Sequence, residues 1–382
     1  FHIFYLMRRK KLLRNERSGT LSAALELLSV PKVLPEHGRP VATSKITIQD
    51  RSRRIRWNMG PCQHKTWLAA LEQLDLEAEF CSLRQWRGFQ IGAHRFVIRM
   101  NLDFFHDKHE LAKVLQMKPA AAYLPETYLS IEDFIHSGQN EGTSRWFLKI
   151  SDVDYGCGVR SFQSPVSFAE VQQLLETCHL EATQSLSQLR KAKGCKPRDL
   201  GGKIVIQKAV ETVSQLNFDA GKTGPHYKED LRVYVCCSVS LPHKVFVYRR
   251  LGVRRAPKAL DGSSDREVQC THYGHIAPAE SIQEWPFYDM VFPQICEAVK
   301  CIMEIITPEL EDRCSVLFGM DFICDAEQRP YLLEINQVPR LWYEDPRVQA
   351  WTQGMALDFL RLIVLADGFS NGPTTGRWLQ VT

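Results

Sequence analysis

The chain has 382 residues, 44% of them hydrophobic, which is enough to bury a sizeable core in two or three domains or subdomains. Its net charge of +4 does not require a nucleic-acid partner, and the lack of any run of 18 apolar residues argues against a membrane-spanning helix. The twelve cysteines form no Cys-x-x-Cys pair and no Cys/His cluster at metal spacing, which argues against zinc and favours a reduced, intracellular compartment.

The N-terminal third is predicted to consist of short elements. Residues 1–60 mix basic runs with a proline-rich break, and "KITIQD" and "RIRWN" are typical of short strands. Helical periodicity follows in "KTWLAALEQL" (65–74), a strand in "HRFVIRMN" (94–101) and a second helix in "DKHELAKVLQ" (107–116). The stretch "AAYLPETYLS" is expected to be extended.

The centre of the chain is predicted to alternate strands with one long helix. The strand "SRWFLKIS" leads into the glycine loop "DYGCGVRSF", and "SFAEVQQLLETCHLEATQSLSQL" is helical. A basic loop (190–202) then precedes the strand "KIVIQKAVE". Two further strands follow, "DLRVYVCCSVS" and "HKVFVYRRLGV".

The C-terminal part is predicted to begin with a polar loop (256–282) and a helix (about 287–306). A hairpin comes next, then a last helix (347–367) and a polar tail that is expected to be disordered. The antiparallel hairpins near the end of the chain favour α+β layers over an alternating α/β fold.

The predicted hairpin carries polar side chains at an unusual place. It joins "SVLFGMDFICD" to "YLLEINQVP", and a turn at Glu327–Gln328 would pair residues whose numbers add to 655. Asp321 would then face Glu334, with Asn336 one step along the same face. Facing carboxylates repel unless a cation lies between them, and hard oxygen ligands suit Mg²⁺ held together with nucleotide phosphates. A plain hairpin with a solvated polar face is the alternative that this pattern leaves open.

Two strand ends are candidates for nucleotide binding. Lys149 comes just before a Gly-x-Gly loop (Gly156 and Gly158), where backbone amides can approach phosphates and an ammonium adds a point charge. Such loops are common, and a solvated strand-end lysine is the alternative. Gln207 and Lys208 end another apolar strand, whose backbone could recognise a planar base edge.

A third strand alternates charged and apolar residues. Lys228, Asp230 and Arg232 share one face, whereas Leu231 and Val233 share the other. The charged face is either an internal salt-bridge ladder or a surface that binds phosphate. The next strand and its exit add four arginines, which form either an exposed basic face or, beside Arg232, a clamp for anionic substrates: Arg249, Arg250, Arg254 and Arg255.

In this order, the motifs resemble those of the tubulin tyrosine ligase-like family of the ATP-grasp superfamily. "YKEDLRVYV" resembles the family's K-F-D-L-R-x-Y/W-V stretch, and "GMDFICD…RPYLLEINQVP" resembles its G-x-D-F-L-x-D…W-L-L-E-x-N-x-x-P stretch. The resemblance covers roughly residues 95–365. It implies an ATP-grasp fold of the α+β class, with ATP held between two α+β subdomains that follow a smaller N-terminal α/β domain.

The resemblance also implies a division of the chain. The predicted parts are a basic extension (1–60), a domain that precedes the ATP-grasp core (61–107), a central subdomain (108–209), a C-terminal subdomain with the metal-binding hairpin (210–367) and a tail (368–382).

The family pattern implies roles for individual residues. Lys108 would open the ATP-grasp core, and Lys149 would contact the ATP phosphates together with the Gly156 and Gly158 loop. Gln207, Lys208 and Val210 would form the hinge that recognises adenine. Lys228, Asp230 and Thr271 would lie on the ribose and phosphate side of the nucleotide. Asp321, Glu334 and Asn336 would be the Mg²⁺ ligands. Arg232 and Arg254 would lie near the γ-phosphate and the acceptor carboxylate, where they and Lys149 would be the catalytic residues.

Two positions depart from the family pattern. Tyr155 precedes Gly156 where the family has a basic residue, and His272 stands in "VQCTHYGHI" where the family has asparagine after the retained Thr271. The first departure weakens the expected grip of the loop on phosphate.

The implied function is an ATP- and Mg²⁺-dependent carboxylate–amine ligase. It would add glutamate, glycine or tyrosine to the acidic C-terminal tail of tubulin, with a free amino acid as co-substrate and neither nucleic acid nor membrane as partner. The basic residues at 8–14, 51–55 and 190–198 could meet such a tail. The implied location is the cytoplasm and cytoskeleton, including cilium or flagellum. The alternatives are a catalytically impaired microtubule-binding relative and another ATP-grasp peptide ligase.

Overall fold

The computed structural model describes residues 55–58, 64–74, 78–80, 87–91, 94–99, 107–116, 119–151, 158–192, 202–211, 227–238, 244–261, 266–271, 275–309, 314–337, 339–341, 343–365 and 377–382. The chain divides into two compact units, residues 48–185 with 199–382, and residues 1–47 with 186–198. The second unit is described only at residues 186–192, the end of a long helix. Both sheets and the candidate site lie in the first unit.

Seven α-helices are present in the described part of the chain. Those predicted from periodicity are confirmed, including the helices that begin at residues 64, 108, 168, 288 and 346. The helices are α1 (His64–Gln73), α2 (Lys108–Leu115), α3 (Ile131–His136), α4 (Phe168–Ala192), α5 (Arg266–Gln269), α6 (Tyr288–Ile306) and α7 (Pro346–Leu365). None of them combines the length and the apolar character that crossing a bilayer requires.

The described strands form two sheets, one large and one small. The strands of the large sheet are β1 (Ile55–Asn58), β2 (Ala78–Phe80), β3 (Arg87–Ile91), β4 (His94–Arg99), β9 (Tyr227–Ser238), β10 (Lys244–Tyr248), β11 (Leu251–Ala259), β12 (His275–Ala279), β13 (Cys314–Cys324), β14 (Pro330–Asn336) and β15 (Trp378–Gln380). The strands of the small sheet are β5 (Thr127–Tyr128), β6 (Arg145–Ile150), β7 (Val159–Gln163) and β8 (Ile204–Lys208).

The large sheet is built around its two longest strands, β9 and β13, which pair antiparallel. On its other edge β9 pairs with β10 and β11, and β13 pairs with β14 and, in parallel, with β4. The small sheet has the order β5-β8-β6-β7 and is antiparallel throughout. Mostly antiparallel sheets with helices packed on them confirm the predicted α+β class, whereas the ATP-grasp assignment and the N-terminal domain stay predictions.

Both faces of the large sheet are buried. On β9, Leu231, Val233 and Val235 join the core formed with α6, while Tyr234 and Cys236 join the core formed with α1 and α7. The strand's period of two therefore separates two apolar clusters. Lys228, Asp230 and Arg232 lie at the positions that continue the face of Tyr234, as the alternating pattern predicts.

Three expectations about local structure need correction. The predicted polar loop at 256–282 contains the end of β11, the short helix α5 and the strand β12. The stretch expected to be extended begins with a 3-10 helix, Ala120–Tyr123, before β5. The tail is not without structure, because β15 pairs with the edge strand β10. The strand "KITIQD" lies outside the described residues, and the predicted domain boundaries stay predictions.

Candidate active site

The predicted carboxylate pair is present on the β13–β14 hairpin. Asp321 and Glu334 are directly opposed, and Asn336 is paired with Gly319 on the same two strands. The Asn336 Nδ2 donates to Oδ2 of Asp321 at 3.2 Å and to Oε1 of Glu334 at 3.1 Å. The three oxygen-bearing side chains, called here the Asp–Glu–Asn triad, therefore converge on one place.

The triad depends on a β-bulge that the sequence arithmetic did not anticipate. Asp321 pairs with Glu334, but the next pair toward the turn is Phe322 with Leu332, so Leu333 is the extra residue. If the register at the turn continued without the bulge, Leu333 would face Asp321, and Glu334 would face the apolar core. The bulge therefore returns Glu334 to the face of Asp321, as bulges beside functional sites often re-aim a side chain.

Two arginines bind the buried carboxylate of Asp321. Arg232, its neighbour on β9, donates from Nε to Oδ1 at 2.5 Å and from Nη2 to Oδ2 at 3.0 Å. Arg254 Nη2 lies 2.8 Å from the same Oδ2. In this structure, guanidinium groups are thus the cations that reduce the repulsion between the two facing carboxylates. Charge-assisted bonds of this fork geometry fix both arginines firmly.

Asp230, a buried carboxylate on β9, extends this network. Arg254 is paired with Asp230 across β11 and β9, and its Nε donates to Oδ1 of Asp230 at 2.5 Å. The buried Thr271 hydroxyl donates to the other oxygen of Asp230. Arg255 points to the opposite face and donates to Glu229 at 2.8 Å. Of the two adjacent arginines, Arg254 is therefore the one that lies in the site.

Two lysines, the buried Lys228 and the half-buried Lys149, supply positive charge beside this network. The Nζ of Lys149 donates to Oε1 of Gln207 at 2.5 Å, and Nζ of Lys228 lies 4.2 Å from the centroid of the Phe147 ring. Burial lowers the pKa of each lysine to about 8, and for Lys149 the repulsion of Lys108 and Lys228 adds to the effect of burial. Both ammonium groups are desolvated and suited to an anion.

The carboxyl groups of the triad titrate unequally. Burial raises the pKa of Asp321 above its ordinary value, although Arg232 and Arg254 oppose this rise. Burial would also raise the pKa of Glu334, but Lys108 and hydrogen bonds with Asp321 and Asn336 lower it to about 2. Glu334 is therefore the more readily ionised of the two facing carboxyl groups.

A pocket lies beside the triad and is lined by both sheets and by α2. Lys149, Val205 and Gln207 come from the small sheet, and Leu332 with the bulge residue Leu333 comes from the large one. The helix α2 adds Lys108, Leu111 and Ala112, and Leu124 completes the lining. The pocket therefore has an apolar wall and a cationic rim, a combination that suits a flat apolar ring carrying an anionic chain.

Other predicted positions do not reach the triad through their side chains. Lys208 points away, toward Glu126 at 3.1 Å, so only its backbone could contribute to a hinge with Val210. Gly158 has a φ of +69°, which favours glycine, and its carbonyl accepts from Ile150 N–H at 2.9 Å. It thus closes the β6–β7 hairpin. Gly156, Tyr155 and His272 lie outside the described residues.

The sequence interpretation missed a contact that joins α2 to β6. Asp107 is the N-cap of α2 and accepts from the N–H groups of His109 and Glu110. The buried Ser151 hydroxyl donates to Asp107 and accepts from His109 N–H at 2.7 Å. This clasp, Asp107 with Ser151, ties the segment of Lys108 to the segment of Lys149. The Asp-x-x-Glu pattern of a capping box could have identified Asp107, but nothing local indicates Ser151.

The triad fits a hard divalent cation by its chemistry. Within the described residues no group of three or more His, Cys, Asp or Glu forms a metal cluster, so the site has two carboxylates and one carboxamide. Mg²⁺ is commonly held by one or two carboxylates while substrate phosphates and water complete its shell. Each carboxylate oxygen has two lone pairs, so Asp321 can accept from its arginines and still ligate.

The fold and this geometry define an α+β protein in which a network of carboxylates and guanidinium groups lies beside a pocket with an apolar wall and a cationic rim. A family model described as the tubulin-tyrosine ligase family matches residues 278–370, a range that includes all of the β13–β14 hairpin. The chain is also 24% identical over 222 residues to a protein of Schizosaccharomyces pombe described as a probable tubulin–tyrosine ligase.

That alignment covers 53% of this chain and 53% of the yeast protein, so the chain spans about half the length of the curated relative that it matches. The two comparisons confirm the resemblance stated from the sequence motifs. Over the matched ranges the chain is similar to the tubulin-tyrosine ligase family.

Proposed function

We propose that this protein is an ATP-dependent carboxylate–amine ligase that adds glutamate, glycine or tyrosine to tubulin or a similar acidic protein tail. The observation that carries this proposal is the network that joins the Asp–Glu–Asn triad to Arg232 and Arg254, beside a pocket that Lys108 and Lys149 line. The similarity to a probable tubulin–tyrosine ligase supports the substrate class.

The proposed reaction has two steps. An acceptor carboxylate takes the γ-phosphoryl group of ATP and releases ADP, which gives an acylphosphate. The amine of the amino acid then attacks the acyl carbon, phosphate leaves, the amine loses a proton and an amide bond forms. ATP bound with Mg²⁺ would supply the phosphoryl group and the charge neutralisation at the triad.

The residues of the chain would position and neutralise the reactants. Lys149 and Lys228 would hold phosphate oxygens, since both are largely desolvated and cationic near neutral pH. Arg232 and Arg254 are fixed by Asp321 and Asp230, so they need little reorganisation to stabilise charge that develops on the transferred group. Glu334 and Asn336, with Asp321, would hold the divalent cation.

Partners and location follow from the same proposal. Tubulin or microtubules would be the acceptor and a free amino acid the co-substrate, in the cytoplasm or on the cytoskeleton, including cilium or flagellum. The basic clusters at 8–14, 51–55 and 190–198 that could meet an acidic tail lie almost wholly outside the described residues.

The direct test is ADP release by the full chain with ATP, Mg²⁺, tubulin and each of the three amino acids, followed by mass spectrometry of the tubulin. We expect release that requires both tubulin and one amino acid, and Glu334→Gln should lower the rate by about a hundredfold or more because it removes a cation ligand. Glu327→Gln is the matched control, since Glu327 lies exposed at the tip of the same hairpin.

The other outcomes separate the alternatives. Binding of tubulin without ADP release by the intact chain would contradict a ligase and favour a microtubule-binding protein. Turnover that needs a short peptide or a small amine in place of tubulin would favour another peptide ligase of the ATP-grasp type.

A further inference from the structure

The segment that follows β14 packs directly against the buried arginine of the site. Pro339 packs against Gly319. A Cβ added to Gly319 would lie 2.7 Å from Cβ of Pro339 and 3.2 Å from both Cδ and Nη1 of Arg232. Gly319 itself is paired with Asn336 of the triad. The missing side chain at Gly319 thus lets Pro339 and Arg232 lie together beside the triad.

Two tyrosines fix this segment further. The hydroxyl of Tyr234, which lies two residues beyond Arg232 on the same face of β9, donates to the backbone oxygen of Arg340 at 2.8 Å. The phenol of Tyr343 interacts with the hydroxyl of Tyr234. Its N–H donates to Oε1 of Gln349 at 2.9 Å, which ties the segment to α7.

Arg340 lies on the solvent side of this arrangement. Its guanidinium carbon is 4.8 Å from the centroid of the Tyr343 ring, and the residue is exposed. Tyr343 therefore contacts both the buried Tyr234, two residues beyond Arg232 on β9, and the exposed guanidinium of Arg340. Stacking uses the flat face of a guanidinium, while its N–H donors lie in its plane and can form paired bonds to a carboxylate.

We propose that Arg340, oriented by Tyr343, recognises a carboxylate of an acidic acceptor peptide outside the reacting centre. The acceptor is a better match than a free amino acid, because an exposed arginine suits a chain that continues into solvent, whereas small ligands are enclosed. Arg340 would bind one side-chain carboxylate while the reacting carboxylate reaches Arg232 and Arg254. The assignment of the peptide as the acceptor rests on the proposed ligase function, but the binding itself does not require turnover.

The test measures binding of a fluorescein-labelled peptide of ten glutamates to the full chain by fluorescence anisotropy at low salt. We expect Arg340→Glu to weaken binding about tenfold and Arg340→Gln less, since reversal adds repulsion to the lost bond. Arg347→Glu is the matched control. Arg347 is also exposed, lies in the first turn of α7 and pairs only weakly with Asp345 at 3.4 Å, so its reversal should change binding less than twofold.

Tyr343→Leu tests the orienting role. It should weaken peptide binding severalfold while leaving Arg340 present, because the stacked guanidinium loses its platform. Equal affinity of the wild type, Arg340→Glu and Arg340→Gln would overturn the inference, as would an equal loss in Arg347→Glu, which would show only a general effect of charge.

The readout separates this inference from the proposed function. Arg340-dependent binding without any ADP release would contradict the ligase and leave peptide recognition intact. ADP release with an unchanged KM for the peptide in Arg340→Glu would contradict the peptide site and leave the ligase intact. A raised KM for the amino acid with unchanged peptide binding would assign Arg340 to the other substrate and would also overturn the inference.

Discussion

Gly319 shows how much of the site depends on a side chain that is absent. It lies two residues before Asp321 on β13 and is approached by the side chains of Pro339 and Arg232. Because protein interiors are close-packed, the Arg232 side chain needs the space that a side chain at Gly319 would fill in order to reach the buried carboxylate of Asp321. The glycine of "GMDF" is therefore explained by packing rather than by backbone conformation.

We predict that Gly319→Ala lowers the turnover rate by about tenfold to a hundredfold, because Arg232 or Pro339 must move and small misplacements of positioning groups are costly. The measurement is kcat for ADP release together with thermal unfolding. Gly354→Ala is the control, since its added Cβ would have only the Tyr248 hydroxyl near it, at 3.9 Å. Unchanged kcat in Gly319→Ala would contradict this account of Arg232.

The lowered pKa values of Lys149 and Lys228 predict a pH dependence. Their pKa values of about 8 mean that the positive charges are present below pH 8 and are lost above it. We expect the affinity for a non-hydrolysable ATP analogue to fall between pH 7 and pH 9, by up to about tenfold for each lysine that must be protonated. Lys228→Met should flatten this profile, measured by titration calorimetry. A profile that is level over this range would contradict phosphate binding by the lysines.

The same pKa values have a consequence for the protein without nucleotide. The unfolded chain binds more protons than the folded one between pH 8 and the ordinary lysine pKa of 10.5. The contribution of these lysines to stability therefore rises with pH through that range and is least favourable below pH 8.

At the scale of elements, the hairpin shows what could be predicted from the sequence and what could not. The pairing of Asp321 with Glu334 is confirmed, although the predicted two-residue turn is wrong. Asp325 N–H donates to Arg329 at 3.1 Å, which leaves three residues in the loop, and Gln328 adopts a φ of +62°. The bulge at Leu333 offsets the extra turn residue, so the predicted register is right at the triad and shifted by one beside the turn.

The reasons for these errors are physical. A left-handed turn residue is usually glycine or asparagine, and a glutamine there gives no signal. The clasp between Asp107 and Ser151 joins residues 44 positions apart, and such contacts leave no local pattern. By contrast, the alternation of charged and apolar residues along β9 was predictable because one strand carries the whole pattern.

We predict that Ser151→Ala raises KM for ATP severalfold with a smaller change in kcat, because the clasp sets the position of Lys108 relative to Lys149. Steady-state kinetics with varied ATP would measure it. Ser130→Ala is the control, since Ser130 accepts from Asp133 N–H at 3.0 Å at the N-terminus of α3. Similar KM values in the two variants would show that the clasp contributes only to stability.

At the scale of the whole molecule, the end of the chain completes the large sheet. β15 pairs with the edge strand β10, and Val381 N–H donates to Val245 at 2.8 Å. Trp378 is fully buried, with its ring 5.1 Å from that of Tyr248 and 6.1 Å from that of Phe359. β15 thus becomes the edge beside β10, and because it has only three residues it offers few unpaired backbone groups to another chain.

We predict that Trp378→Ala lowers the free energy of unfolding by about 3–5 kcal/mol, the usual cost of truncating a buried aromatic residue. Denaturant unfolding would measure it, with Gln380→Ala, on the exposed end of the same strand, as the control. Equal midpoints for both variants would contradict the packing role of β15.

The Asp–Glu–Asn triad is the proposed place where a divalent cation meets a nucleotide. The most direct measurement is the binding of a non-hydrolysable ATP analogue to the full chain by calorimetry, with and without Mg²⁺, in the wild type and in Glu334→Gln. We predict that Mg²⁺ strengthens binding markedly in the wild type and hardly at all in the variant. An equal gain from Mg²⁺ in both proteins would contradict the central claim.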